Sequence, residues 1–292
     1  MIVIKDGKRK PWLLLALLTT FFWGIWGAFI EIPEKAGFPA TLGYIVWSVT
    51  MIPCMIVALR ILKWRLEYDR KSVIYGMLVG LSGAGGQLIL FQAMREGPAY
   101  IVFPVISLFP IITIFLSAIF LKETTSQKSW FGIILAIIAI GFLSYQQPGQ
   151  TNSKGYLWLV LAIIVFLLWG LQGFFMKFSN EKMKAESIFF YMTLSAILLI
   201  PVAYLMTDFS VQINWGIKGP YLAAFIHLLN SVGALMLVYA LRYGKAIIVV
   251  PVTGLSPVIT IILSLIIYGI FPHTLILIGL VLAVVAIFLL VE

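Results

Sequence analysis

Charge is what this chain has least of. Charged residues occupy 11% of its 292 positions, and 62% are hydrophobic; a soluble domain carries about 25% charged residues. That balance excludes an ordinary soluble globule. Cysteine is nearly absent as well: Cys54 stands alone in an apolar run, which excludes a disulfide framework and a thiolate metal site. With two histidines and no clustered His/Cys/Asp set, no metal centre is expected. There is no GxxxxGK[ST] loop, no HExxH and no GxSxG. ATP hydrolysis through a phosphate-binding loop is thereby excluded, and an enzyme has little support. No catalytic residue and no cofactor is expected.

What is present is a series of apolar runs. About 20 apolar residues, at about 1.5 Å of rise each, cross about 30 Å of hydrocarbon. Ten runs qualify, at about 11–30, 40–59, 72–92, 98–120, 129–145, 155–176, 187–206, 219–241, 246–268 and 274–291. The last two are parted at Phe271-Pro272-His273. Each run must be helical, because lipid offers no partner to an open strand edge. The first follows Lys5, Lys8, Arg9 and Lys10, as a signal peptide would. Its apolar core is too long and no small-x-small site follows, so it reads as a retained span. The fold class is an all-α integral membrane protein.

One stretch is written twice. Residues 86–121 and 233–268 align without a gap at an offset of 147, with about half of the positions identical. Shared residues include Arg95/Arg242, Gly97/Gly244, Pro104/Pro251, Pro110/Pro257 and Thr113/Thr260. Earlier spans align at 146, where Trp23-Gly24 matches Trp169-Gly170. The chain therefore divides into five-helix repeats at 1–147 and 148–292. With the N-terminus inside, 16 Lys and Arg residues fall on the cytoplasmic side and four (Lys35, Arg95, Lys154 and Lys218) on the other. This is a positive-inside pattern with both termini cytoplasmic. It also accounts for the net charge of +9 through anionic lipid headgroups rather than nucleic acid. Five spans separate the copies, so they run in opposite directions, the inverted repeat common in secondary transporters.

Trp-Gly in the first span, a Gly-Pro/Gly-Lys-Ala turn before the fourth, paired prolines within it and Glu123 after it form a set. The set resembles the drug/metabolite transporter superfamily, of the ten-span EamA type, across nearly the whole chain. The resemblance implies a multi-pass transporter of the cell membrane that carries small organic molecules. It also implies spans 5 and 10 outside the bundle, available for a homodimer. One departure is Ile270, which stands where the family usually places an acid.

Polar and aromatic residues at membrane depth mark the expected cargo path. His227 and Asn230, three apart in span 8, should share a face. His227 also suits proton coupling. Trp26 aligns with Gln172, an aromatic against an amide, which suits cargo with an apolar body and a polar end. Gln87 in span 3, Trp23 and Trp169 of the Trp-Gly pairs, Tyr44 and Trp47 in span 2, Tyr191 in span 7, Ser107 in span 4 and Thr253 in span 9 complete the expected binding set. Glu31 at the mouth and the four prolines, Pro104, Pro110, Pro251 and Pro257, are expected in coupling or gating, the prolines by bending helices. The expected activity is proton-coupled export of amino-acid-like or amphiphilic compounds. A sugar or metabolite importer is the neighbouring alternative. A lipid-headgroup flippase component and a non-transporting membrane scaffold stand in other classes.

Overall fold

A computed structural model describes residues 11–97, 102, 105–145, 155–268 and 273–291. The described residues hold helices and no strand. In chain order the longer ones are α1 (Pro11–Phe29), α2 (Ala40–Ile61), α3 (Arg70–Glu96), α4 (Pro110–Phe120), α5 (Gln127–Leu143) and α6 (Leu157–Asn180). There follow α7 (Ala185–Leu198), α8 (Leu222–Tyr243), α9 (Ala246–Gly254), α10 (Pro257–Tyr268) and α11 (Thr274–Val291). Among the described residues, seven helical stretches are long and apolar enough to cross a membrane. Val105–Phe120, Gln127–Leu143 and Thr274–Leu290 are apolar but shorter. Pro104, Ile270 and Phe271-Pro272 lie outside the described residues, as does the basic cluster before Pro11.

The helices of one repeat pack mainly on those of the other. α1 lies against α8, α9 and α10, while α6 lies against α3 and α4. α2 packs on α7 and α8, α3 packs on α7, and α5 pairs with α11. Several contacts occur twice, once per repeat. The Thr260 hydroxyl donates to the Gly24 carbonyl at 2.8 Å, and Thr113 donates to Gly170 at 2.8 Å. The Trp23 indole N–H donates to the Asn230 carbonyl at 3.2 Å, and Trp169 donates to the Gly83 carbonyl at 3.4 Å. Gly24 and Gly170 make these crossings possible. A Cβ on Gly24 would lie 2.3 Å from the Ile259 Cβ, and one on Gly170 would lie 2.4 Å from the Ile112 Cβ. Small residues are how membrane helices approach closely enough to exchange such bonds.

Spans 4 and 9 each carry a turn midway, with helix on both sides of it. Turns at Leu108-Phe109 and Leu255-Ser256 interrupt them, and α4 and α10 restart at Pro110 and Pro257. Proline suits the first position of a helix, where its missing N–H would have had no partner. Pro251 alone of the described pair-forming prolines lies inside a helix, α9. Pro110 and Pro257 each follow directly on the turn that interrupts their span. The broken points face α1 and α6: Gly24 abuts the Ser256 carbonyl and Gly170 abuts the Phe109 carbonyl.

Candidate cargo cavity and its two mouths

Where α1, α3, α6 and α8 cross the broken helices, a cavity of about 270 Å³ opens between the repeats. Trp23, Trp26, Trp47, Gln87, Ser107, Trp169, Gln172, Asn230 and Thr253 all line it. Nine of the twelve expected binding residues thus converge on one space, drawn from both halves, and Pro257 of the expected gating set joins them. Met51, Met176, Met192 and Ser256 join them without having been signalled by sequence. They look like ordinary span residues until the helix faces are known. Ile140 reaches the wall from α5, a helix expected wholly outside.

The polar wall is asymmetric on its symmetric frame. The Trp47 indole N–H donates to Asn230 Oδ1 at 2.9 Å. That leaves the Asn230 amide N–H groups for a guest. Gln172 sits over Gly83, filling the space that glycine leaves. Gly83 is the repeat counterpart of Asn230. The wall carries no Asp, Glu, Lys, Arg or His among the described residues.

Three expected ligand residues stand elsewhere. Tyr44 is buried between helices, its hydroxyl donating to the Ala196 carbonyl at 3.1 Å. Tyr191 donates to the Glu67 carbonyl at 2.7 Å. Both serve contacts between α7 and the first half rather than the cavity. His227 is separated from Asn230 despite the three-residue spacing. It lies behind Trp26, whose indole N–H donates to its Nδ1 at 3.3 Å. An accepting Nδ1 carries no proton, so the ring's hydrogen is on Nε2. Glu31 is on the surface, paired with Lys35 at 2.6 Å on its own short helix.

The mouths at the two ends of the cavity differ. At the Arg242 end, Met176, Met192, Val238 and Leu241 are buried. Their repeat counterparts at the Arg95 end, Ile30, Ile45, Phe91 and Met94, are partly exposed. A polar cluster ties the closed end. Glu123 is 8% exposed. Its carboxylate accepts from the backbone N–H groups of Ala246 and Ile247 at 3.1 Å each, at the start of α9. The Lys177 ammonium stands 3.8 Å from Glu123. It donates to the Leu241 and Gly244 carbonyls at 3.2 and 2.8 Å, at the end of α8. Arg242 donates to the Asn180 carbonyl and, at 2.9 Å, to that of Met183. Lys245 reaches the Thr124 carbonyl. Burial pushes the Glu123 carboxyl above the ordinary carboxylate range. The N–H groups of Ile247 and Ala246 and the nearby Lys177 pull the other way without cancelling it. At the opposite mouth Arg95 donates to the Met206 carbonyl at 2.6 Å.

A helical membrane protein built of two matching units around an uncharged cavity is the class this architecture defines. The EamA-like transporter family matches residues 10–145 and again 156–292, and the chain belongs to that family, within the drug/metabolite transporter superfamily. An uncharacterized protein of Methanocaldococcus jannaschii is 35% identical over 132 residues, which are 45% of this chain and 95% of that protein. An uncharacterized transporter of Archaeoglobus fulgidus is 28% identical over 150 residues, 50% of this chain and 51% of that one. The chain thus spans about half the length of that archaeal transporter. A crystal structure with 15% sequence identity aligns at a TM-score of 0.77 over 97% of this chain and 96% of its own, a likeness of fold.

Proposed function

We propose that this protein is a gradient-driven transporter of small organic metabolites that works by alternating access. In this reading ten spans form two inverted halves, the termini and the Arg242 mouth face the cytoplasm, and the cavity opens to each side in turn. The observation that carries it is the cavity between the repeats, walled by residues of both. A volume of about 270 Å³ lies near the lower end of the ~300–1,000 Å³ of small-molecule sites. That suits a metabolite better than a two-tailed lipid.

The wall supports a cargo with an apolar body and an uncharged or zwitterionic polar end, amino-acid-like in size. Four tryptophans and three methionines offer apolar contact. Gln87, Gln172 and Asn230 offer amide groups. A cargo with net charge would leave water for a wall with no opposite charge, a penalty of several kcal/mol. Proton-coupled export is the mode assigned here, with His227 and Glu123 as the buried protonatable groups that support it. The test is flux of a metabolite panel in proteoliposomes, with and without a pH gradient. Flux of neutral amphiphiles that rises with the gradient is expected. PH-indifferent flux removes the coupling, and flux confined to organic anions removes the cargo class.

A further inference from the structure

We infer that Glu123 and Lys177 form a one-sided latch that holds the Arg242 mouth shut, and that this mouth opens when the Glu123 side chain leaves the start of α9. The inference rests on the two-mouthed reading above but needs no cargo for its test. Its basis is what the two residues join. Glu123 belongs to the loop after α4, in the first repeat. The groups it accepts from, the N–H of Ala246 and Ile247, begin α9 in the second. Lys177 ends α6 and holds the last carbonyls of α8. Four elements that surround one mouth thus meet at one pair of side chains. For the mouth to open, α9 must move from the α4–α5 loop, and this contact must break.

The chemistry suits a latch. The first N–H groups of a helix have no partner within it, and the last carbonyls have none either. Both meet here at side chains that are 13% and 7% exposed, so each needs a partner from the protein. A carboxylate at a helix start and an ammonium at a helix end also match the helix dipole at both places. When the mouth opens, water supplies those partners, and the protein groups can part. Truncating Glu123 leaves two buried donors unanswered while closed and not while open, which shifts the balance toward open.

Among the described residues the opposite mouth shows no such device; the counterparts of the α9 start lie outside them. The repeat counterpart of Lys177 is Glu31, a reversal of charge. Glu31 is spent on Lys35 in a pair whose side chains are 68% and 75% exposed. The counterpart of Glu123 is Ile270, which can accept nothing. The asymmetry is therefore written in sequence at both positions of the latch.

A single reporter thiol tests this. In a Cys54→Ser background, Val250→Cys lies on the cavity wall just beyond the closed mouth. Membrane-impermeant maleimide is added from each side of sealed vesicles in turn. Glu123→Ala should raise labelling from the Arg242 side about tenfold, the effect of about 1.4 kcal/mol from unanswered donors. Glu123→Gln, which keeps one acceptor oxygen at the start of α9, should restore slow labelling. Glu31→Ala should leave labelling unchanged. Lys177→Met is made in parallel, and all variants are checked for a monodisperse, heat-cooperative fold. The latch is overturned if folded Glu123→Ala and Lys177→Met both label at the parent rate. It is equally overturned if Glu123→Gln labels as fast as Glu123→Ala, or if Glu31→Ala opens the same mouth. Absence of flux with every metabolite tried, alongside a positive labelling result, would count against the transport reading and leave the latch standing.

Discussion

The two mouths of the cavity are built from equivalent residues and end in different states. At one, Lys177, Glu123 and Arg242 bind loose backbone groups of neighbouring helices, and four apolar side chains are sealed. At the other, the corresponding side chains are partly exposed, and Glu31 pairs with a neighbour on its own helix. The frame that carries both is alike, down to the Thr113–Gly170 and Thr260–Gly24 bonds. The difference teaches that the backbone crossing pattern is common to both halves, while the burial of each end differs at a few substituted side chains.

The largest effect expected from breaking this comparison is at Lys177. Lys177→Met leaves the Glu123 carboxylate buried without its counter-charge. A broken buried pair costs about 3–5 kcal/mol, and the 3.8 Å separation argues for the lower figure. Thermal unfolding in detergent should fall accordingly. Glu31→Gln, at the exposed counterpart, should change it by less than about 1 kcal/mol. Equal losses at the two sites would erase the distinction drawn between the mouths.

The shared frame should respond equally from either half. Gly24→Ala and Gly170→Ala each force a methyl into an isoleucine Cβ, at 2.3 and 2.4 Å. Overpacking of this kind costs about 1–3 kcal/mol. Melting temperatures of the two variants should fall together; a loss confined to one of them would mean the frame is less symmetric than its hydrogen bonds.

A pH profile sharpens the comparison further. Glu123 holds its proton more tightly in the closed mouth than when solvated, chiefly because of burial. By linkage, acid favours the closed form, and raising the pH through the elevated value favours opening. The facing charges are Lys177 from α6 and, beyond it, Glu181; Lys245 is tied to the Thr124 carbonyl on the same loop. Labelling of Val250→Cys, normalised to the same thiol in Glu123→Gln, should therefore rise with pH. A flat or falling profile would contradict the direction.

The smallest effect belongs to the wall. Trp47→Phe keeps an aromatic ring, though a smaller one, and removes the indole N–H with its 2.9 Å bond to Asn230. Bonds between membrane helices average about 0.6 kcal/mol. An apparent cargo affinity lowered about threefold is expected, against no change for Tyr44→Phe, whose hydroxyl is spent on Ala196.

Much of this was legible in sequence, for physical reasons. Apolar runs mark helices because lipid permits little else, and unequal repeat pairs such as Trp26/Gln172 did fall on one wall. What sequence hid was direction. His227 and Asn230 share a helical face by spacing, yet Trp26 takes one and the cavity the other. Tyr44 and Tyr191 sit at matching levels, but their hydroxyls meet carbonyls on distant segments. The latch was half visible: Glu123 and the Glu31/Lys177 exchange were both noticeable, but nothing local says that Glu123 and Lys177 meet. The breaks before Pro110 and Pro257 were hidden because an apolar run has the same composition whether continuous or split.

The crossing of the repeats also has a consequence for how the protein is made. Thr19, Thr20 and Trp23 of α1 donate to the carbonyls of Gly233, Val252 and Asn230, partners 214, 232 and 207 residues further on. A ribosome adding about 5–20 residues per second needs roughly 10–40 s to reach them. For that interval α1 stands in the bilayer beside lipid or a helper protein, its hydroxyls held by its own Leu15 and Ala16 carbonyls and its indole without the Asn230 partner. The arrival of α8 and α9 therefore completes the first helix as well as adding to the second half.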